Sequence, residues 1–523
     1  MTSAELSADE HRRMAACLRE PGRYPHPVTT VTTVETHIST LLLTDDYAYK
    51  LKKPLDLGFL DFTTLARRCH ACDEELRLNR RLAPAIYLRR VAITGTPDDP
   101  AIDGDGPLLD WAVQMRRFDD TRLFDRLLQR EQLGAAELDD VARQVATFHD
   151  AAAVAPADSD WGSLEAVTTP ARDNLKALRE QLGADPRLER LHGWTEERLQ
   201  TLTPLLEQRR REGCIRECHG DLHLGNIVDV DGRPVIFDGI EFAPGLRWID
   251  VINEVAFLAM DLHSRQRPDL AARFLSSYLE ATGDYGGVTL LPFYRAYRAL
   301  VRAKVQGLRV ADRDASDADR QRARDVRETY LAVAAAELEP PQPRLVLMHG
   351  LSGSGKSTVA QAVVERLGAI RLRSDVERKR LVGLDAGART GAGVAEGLYG
   401  QELSERTYQR LASLAEELLQ AGSSVVVDAA SLRRHERDLF RTCARAAGVP
   451  FTLAVAHAPD AELRQRIRRR QQAGTDPSEA DTAVLDYQLQ VVEPPGDDEH
   501  GATVLVDTTA DPELRALDRL GQR

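Results

Sequence analysis

The sequence predicts an α+β domain of two lobes followed by an α/β domain built on a parallel sheet, and three observations predict it. Residues 28 to 120 read mainly as short β-rich runs. From Thr121 to Ala336 the pattern is mainly helical, as in Leu138-Asp-Asp-Val-Ala-Arg-Gln-Val-Ala-Thr-Phe-His149 with its 3.6-residue period. After Arg344, apolar strands and amphipathic helices alternate, which is the signature of βαβ units. The expected organisation is therefore a first domain over 1–336, with a small lobe at about 28–120 and a large lobe at about 121–336. A Pro-containing linker at 337–343 and a second domain over 344–523 complete it.

In the small lobe, Leu41-Leu-Leu-Thr-Asp-Asp-Tyr-Ala-Tyr-Lys50 reads as a hairpin turning at its aspartates, and a helix covers about Leu65 to Leu82. In the large lobe, two short strands near Ile227–Val230 and Val235–Phe237 flank a turn at Asp231-Gly232. The boundary falls at Glu339-Pro-Pro-Gln-Pro343, because prolines at this density stop a helix and favour an extended spacer. Beyond it come strand Leu345–His349, helix Ser357–Leu367, strand Val425–Asp428, helix Leu432–Ala447, strand Phe451–Ala456 and helix Ala461–Gln471. No internal repeat or low-complexity segment interrupts this order.

Bulk properties bound the function. A chain of 523 residues exceeds one hydrophobic core, and length alone suggests about three compact units. The formal charge of −13 argues against chain-wide affinity for nucleic acid or anionic membrane, while leaving room for a local basic groove. No run reaches the roughly 18 apolar residues of a membrane span, and Met1 to Gly22 lacks the apolar centre of a secretory signal. Six cysteines do not form a disulfide framework, so a reducing cytoplasm is expected. Cys69 and Cys72, with Cys214 and Cys218, could in principle hold zinc; the loose second spacing favours ordinary thiols.

The most specific string is Gly350-Leu-Ser-Gly-Ser-Gly355-Lys356-Ser357, a G-x-x-x-x-G-K-[ST] match between an apolar strand and an amphipathic helix. Its glycines let backbone N–H groups wrap a phosphate, and the helix N-terminus adds a favourable dipole. Gly350, Ser352, Gly353, Ser354, Gly355, Lys356, Ser357 and Thr358 are the candidate ATP-binding residues. Lys356 is placed to bridge the β- and γ-phosphates, and the Ser357 hydroxyl to bind Mg²⁺. Strand Val425–Asp428 carries no carboxylate after Asp428 to activate water, which turns the expectation from hydrolysis toward transfer. Just past the expected second strand, Asp375 is placed to accept a hydroxyl proton and Arg378 to hold an anionic acceptor. A helix N-cap is the competing role for Asp375. On a later helix, Arg466 and Arg470 share a face and are candidates to close over the phosphates; a solvated basic face is their alternative.

These residues make the second domain resemble the small P-loop kinases: gluconate kinase, the zeta-toxin sugar-nucleotide kinases and the phage-type polynucleotide 5′-kinase. The resemblance implies that Asp375 is the base, that Arg378 contacts the acceptor, and that Asp428 helps position it.

The first domain carries Cys218-His219-Gly220-Asp221-Leu-His-Leu-Gly-Asn226-Ile, followed by Val235-Ile-Phe237-Asp238-Gly239. This spacing can place one base, Asp221, and two Mg²⁺ ligands, Asn226 and Asp238, in one cleft. His219, His223 and His149 are expected to fix backbone or core rather than to bind metal. The pattern resembles the aminoglycoside phosphotransferase and choline kinase branch of the protein-kinase-like fold. That resemblance implies a strand lysine at Lys50, ion-paired with Glu75 (or Glu74), and Lys52 is a rival on the same strand face. No glycine-rich loop precedes it; the stretch is Thr33-Val-Glu-Thr-His-Ile-Ser-Thr40. Asp250 resembles a position that supports the catalytic loop, although Asn253-Glu254 follows it. As a whole the chain resembles bacterial proteins that fuse an aminoglycoside phosphotransferase-like domain to a P-loop kinase domain, often labelled AAA family ATPases. The expected function is transfer of the γ-phosphoryl of ATP, with Mg²⁺, to a small-molecule hydroxyl at two potential sites. The alternatives are a nucleotide-gated regulatory module and a nucleic-acid 5′-hydroxyl kinase.

Overall fold

A computed structural model describes residues 5–58, 60–312, 315–384, 401–473 and 480–509. Its contacts divide the chain into two compact units. The first takes in described residues within 1–137, 147–170 and 201–258; the second takes in 138–146, 171–200 and the described residues from 259 onward. The proline-rich stretch lies between the helix Asp317–Ala336, which belongs to the second unit, and the first strand of the parallel sheet.

In the first unit, helix α1 (Ala8–Cys17) starts at Ser7, whose hydroxyl and backbone exchange hydrogen bonds with Glu10 in a capping box. Strands β1 (Thr32–Glu35), β2 (Ser39–Leu43) and β3 (Tyr47–Lys52) form a meander, with the expected β2–β3 hairpin turning at Asp45-Asp46. Helix α2 (Leu65–Asn79) follows, capped by the Thr64 hydroxyl, and ends three residues before the expected limit. Strands β4 (Tyr87–Thr96), β5 (Asp99–Ile102) and β6 (Leu108–Arg116) complete an antiparallel sheet in the order β1-β2-β3-β6-β4-β5. Alternation sends Tyr49 and Leu51 into a core with Leu42, Val91 and Met14, while Ala48 and Val113 pack toward Cys72 and Leu76 of α2.

The helices α3 (Phe124–Gln129), α4 (Ala135–Ala151), α5 (Leu164–Leu182) and α6 (Pro186–Arg211) come next. Then β7 (Ile215–Glu217) leads into the hairpin of β8 (Ile227–Val230) and β9 (Arg233–Ile236). Asp231 and Gly232 both take positive φ, 52° and 78°, at that turn, the backbone a two-residue hairpin requires. Strand β10 (Trp248–Asp250) pairs antiparallel with β7 and runs into α7 (Val251–Ser264).

The second unit contains α8 (Pro268–Thr282), α9 (Leu291–Ala311) and α10 (Asp317–Ala336). Its sheet is formed by β11 (Leu345–His349), β12 (Ile370–Arg373), β13 (Val425–Asp428), β14 (Phe451–His457) and β15 (Thr503–Asp507). All pairs are parallel, in the order β12-β13-β11-β14-β15. Every residue of β11 and β13 is buried, as a central parallel strand requires. The accompanying helices are α11 (Lys356–Leu367), α12 (Ser374–Leu381), α13 (Gln401–Gln420), α14 (Arg434–Ala447), α15 (Asp460–Ala473) and α16 (Thr482–Val491). Among the described residues, no helix is long and apolar enough to cross a membrane.

Candidate functional site

The phosphate loop connects β11 to α11, at the carboxyl end of a central strand where open α/β sheets bind ligands. Gly353 has φ 81°, and a Cβ there would meet the Leu463 carbonyl oxygen at 2.6 Å, so only glycine fits. Gly355, at φ 82°, is the N-cap of α11 and aims the first helical N–H groups into the loop. Lys356 Nζ donates to the Leu351 carbonyl at 3.3 Å, folding the ammonium across the loop. The Ser357 hydroxyl donates to Asp428 Oδ1 at 3.2 Å.

Among the described residues, two buried polar atoms here have no hydrogen-bond partner: Ser354 Oγ and Asp428 Oδ2. Buried oxygens of this kind are costly unless something binds them. An orphaned hydroxyl, a half-used carboxylate and a cradle of glycines fit a polyphosphate with a hard divalent cation. Ser352 contributes a backbone N–H, which donates to the Gln488 side chain at 2.7 Å. The Thr358 amide is already used, donating to the Gly355 carbonyl at 3.0 Å.

Beside the loop opens a cavity of about 1080 Å³ that Ser352, Lys356, Asp375, Arg378, Glu405 and Arg433 help to line. The structure brings Asp375 and Arg378 to the same cavity wall, 3.1 Å apart. The N-cap of α12 is Arg373, so Asp375 is inside the first turn and not its cap. Asp428, expected beside the acceptor, instead has its nearest partner in the Ser357 hydroxyl. Arg466 donates to the Gly353 carbonyl at 3.4 Å and to Thr508 Oγ1 and O at 3.0 and 2.7 Å. It braces the loop backbone. Arg470, expected with Arg466 to close over the phosphates, donates to the Ala480 carbonyl at 2.6 Å. Sequence reasoning missed Thr508, whose hydroxyl donates to the Ser354 carbonyl at 2.7 Å; no motif marks it.

The second cluster lies wholly within the first unit. Lys50 Nζ stands 2.8 Å from Glu75 Oε1 and 2.6 Å from Asp238 Oδ1. Lys52 takes the other Glu75 oxygen at 2.5 Å and pairs with Glu241. The two lysines share a strand face and one glutamate, but it is Lys50 that is bonded to Asp238. Burial pushes the Glu75 carboxyl up; Lys50 and Lys52 outweigh it and hold the group below the usual range. Burial likewise opposes the charge on Lys50, and Asp238, Glu75 and Glu241 together raise its pKa well above the usual value.

Asp238 has φ 64°, a left-handed conformation that aspartate tolerates better than most residues. Its backbone is pinned: its N–H donates to Tyr87 Oη at 3.1 Å, and the Gly239 N–H donates to Asn79 Oδ1 at 2.7 Å. Asn226 Nδ2 donates to the Asp221 carbonyl and to its carboxylate Oδ2, at 3.0 and 3.1 Å. The candidate base and a candidate metal ligand thus hold each other in place.

Support for this loop corrects the expectation for Asp250. That residue forms a buried pair with Arg209, at 2.7 and 2.9 Å. Glu254 does the bracing: its carboxylate accepts from the His219 and Gly220 amides at 3.0 and 2.6 Å and lies 3.1 Å from His149 Nε2. Burial raises the Glu254 pKa, but these hydrogen bonds and the neighbouring imidazoles bring it down to about 2. The motif draws the eye to the aspartate, while α7 aims the residue one turn later at the loop. His219 Nε2 bonds the Phe237 carbonyl at 2.9 Å, and His223 Nδ1 accepts from the Gly225 amide at 3.1 Å, so both fix backbone as expected.

Residues 345–495 match the family described as an AAA domain, a stretch that covers the phosphate loop and strands β11 to β14 of the sheet around it. The uncharacterized protein Rv2004c of Mycobacterium tuberculosis (strain ATCC 25618 / H37Rv) is 35% identical over 414 residues, 77% of this chain and 79% of its own length. The chain belongs to the family of that mycobacterial protein. Among solved structures, it is similar to a gluconokinase from Sinorhizobium meliloti 1021, at 25% identity and TM-score 0.24, covering 35% of this chain and 95% of that one. It is also similar to the GDP and kanamycin complex of APH(2")-IIia, at 16% identity and TM-score 0.38, covering 62% of this chain and 98% of that one. The chain thus combines an α+β region built on an antiparallel sheet with a P-loop domain built on a parallel one.

Proposed function

We propose that this protein is an ATP-dependent phosphotransferase with two potential sites, each moving a γ-phosphoryl group to a hydroxyl of a small molecule. The observation that carries the reading is the phosphate loop: Lys356 folded across it, and Ser357 bonded to Asp428, beside a cavity holding Asp375 and Arg378. Mg²⁺, when bound, supplies charge neutralisation on the phosphates, and Ser357 with Asp428 would hold it. Lys356 and the loop amides orient the phosphates, Asp375 takes the proton of the acceptor hydroxyl, and Arg378 holds the acceptor.

In the first unit, Asp221 takes the corresponding proton, Asn226 and Asp238 are the cation ligands, and Lys50, steadied by Glu75, orients the phosphates. The Asn226–Asp221 and Lys50–Asp238 bonds support this set, and the Phe237 N–H, next to Asp238, donates to the Asn226 carbonyl and ties the two pairs together. Six free thiols suit a reducing cytoplasmic location.

Incubating the full chain with labelled ATP, Mg²⁺ and a cytosolic metabolite pool should yield labelled small-molecule products. Lys356→Ala and Asp221→Asn should each remove a different one. Labelling that neither substitution reduces overturns the reading. Transfer to a 5′-hydroxyl oligonucleotide, falling steeply with salt, would replace the small-molecule acceptor with a nucleic-acid end.

A further inference from the structure

Helix α8 is part of the P-loop unit although it precedes the proline-rich stretch. Its Ala272 shares a buried core with Val346, Val359, Val363 and Val426 of the sheet and α11. Strand β12 is the edge of that sheet, and its outward Arg371 N–H donates to Ser276 Oγ at 3.1 Å. Ser276 thereby satisfies a backbone group that an open edge leaves unpaired. Four residues further along α8, on the same face, Glu280 takes two arginines, one on each carboxylate oxygen. Arg371 is 3.0 Å from Oε2 and Arg373 is 3.2 Å from Oε1. The Glu280 carbonyl also accepts from Arg380 at 2.6 Å, near the end of the helix that carries Asp375 and Arg378.

Arg373 faces a second carboxylate. Its Nε lies 3.8 Å from Asp428 Oδ2, the oxygen not engaged by Ser357. The side chains of Glu280, Arg373 and Asp428 are only 15%, 12% and 3% exposed, so solvent screens their interactions little. A guanidinium drawn onto Asp428 cancels the negative charge that would attract a divalent cation; one drawn toward Glu280 leaves that charge in place.

We propose that Glu280 is a positioning residue for the divalent cation: it holds Arg373 off Asp428, and so sets how much Mg²⁺ the phosphate loop needs. This rests on the reading of the loop as a Mg²⁺-nucleotide site. Glu280 acts on the site through Arg373, without contact to nucleotide or acceptor. The consequence is directional. Removing Glu280 lets Arg373 settle on Asp428 and raises the Mg²⁺ requirement. Removing Arg373 lowers it.

The test titrates Mg²⁺ against binding of a non-hydrolysable ATP analogue to the full chain by calorimetry, with Mn²⁺ as a spin probe of the cation itself. Glu280→Gln should raise the half-saturating Mg²⁺ by about threefold to tenfold, and Arg373→Gln should lower it. The double variant should match Arg373→Gln, because Arg373 is the residue through which Glu280 reaches Asp428. Ser276→Ala, which weakens the same helix contact without touching Arg373, should leave the Mg²⁺ dependence unchanged. An unshifted Glu280→Gln, or shifts of the same sign in Glu280→Gln and Arg373→Gln, overturns the inference and leaves the loop assignment standing. Wild-type protein that binds no nucleotide at any Mg²⁺ concentration overturns the loop assignment instead. Should Glu280→Gln fail to fold, Arg373→Gln decides: a Mg²⁺ requirement that does not fall ends the proposal.

Discussion

The phosphate loop draws its groups from one unbroken run, Gly350 to Ser357, whereas the Lys50, Glu75, Asp221, Asn226 and Asp238 cluster is gathered from β3, α2 and the loops around β8 and β9. In the loop, backbone N–H groups and glycine conformations carry the geometry, so a short contiguous string is enough to specify it. In the first unit, side chains carry it, and their meeting depends on a helix packed on a sheet and on loops held by distant partners such as Glu254 and Tyr87. A backbone-built site tolerates change in its surroundings and none in its glycines. A side-chain-built site is exposed to every residue that braces it.

The largest expected effect separates the two sites outright. Asp221→Asn should cut transfer at the first site by about 10²- to 10⁴-fold, with the product of the phosphate loop unaffected; equal loss of both labelled products breaks the comparison. Lys356→Ala should cost the second site about 10²- to 10³-fold, read from the other product in the same assay. Next comes Glu75→Gln, which leaves two buried lysines short of a carboxylate. About 3 kcal/mol of first-unit stability should go with it, measured by hydrogen exchange in β3 and α2. Unchanged exchange there would mean the dispersed cluster is less dependent on its braces than its geometry says.

Gly353→Ala meets a carbonyl in the left-handed region and should weaken nucleotide binding about tenfold, with little change in first-unit exchange; calorimetry checks it. The smallest effect is on pH. Glu75 and Glu254 both titrate below the ordinary glutamate value of 4.5, so their stabilisation is full above 4.5 and lost as pH falls toward about 2. Glu377, in the second unit, is raised by burial, so its contribution is present below 4.5 and lost as pH rises through its folded value. Acid should therefore loosen the first unit around its cluster before it loosens α12, and exchange rates followed from pH 5 downward test that order.

The phosphate loop was legible in full, down to the strand before it and the helix after, because its spacing along the chain is its spacing in space. The Lys50–Glu75 pair was legible only as one of several pairings. Strand alternation puts Lys50 and Lys52 on one face, and only the family resemblance prefers Lys50. Glu254 was hidden by Asp250, since a helical turn of offset decides which carboxylate reaches the His219 and Gly220 amides. The sequence places Arg466 either over the phosphates or on a solvated basic face; its bonds to Thr508 make it a brace for the loop, a role that needs β15 beside the loop to be known.

The sequence alone determined the period-two and period-3.6 patterns and the phosphate loop, all of which follow from local backbone preference. Tertiary structure decided the strand order β12-β13-β11-β14-β15, the sharing of Glu75 by two lysines, and the docking of α8 on the edge of the parallel sheet. The physical reason is range. Propensity, capping and turn chemistry act over a few residues, whereas a buried carboxylate finds its cation across a hundred or more, wherever packing brings the two out of water together.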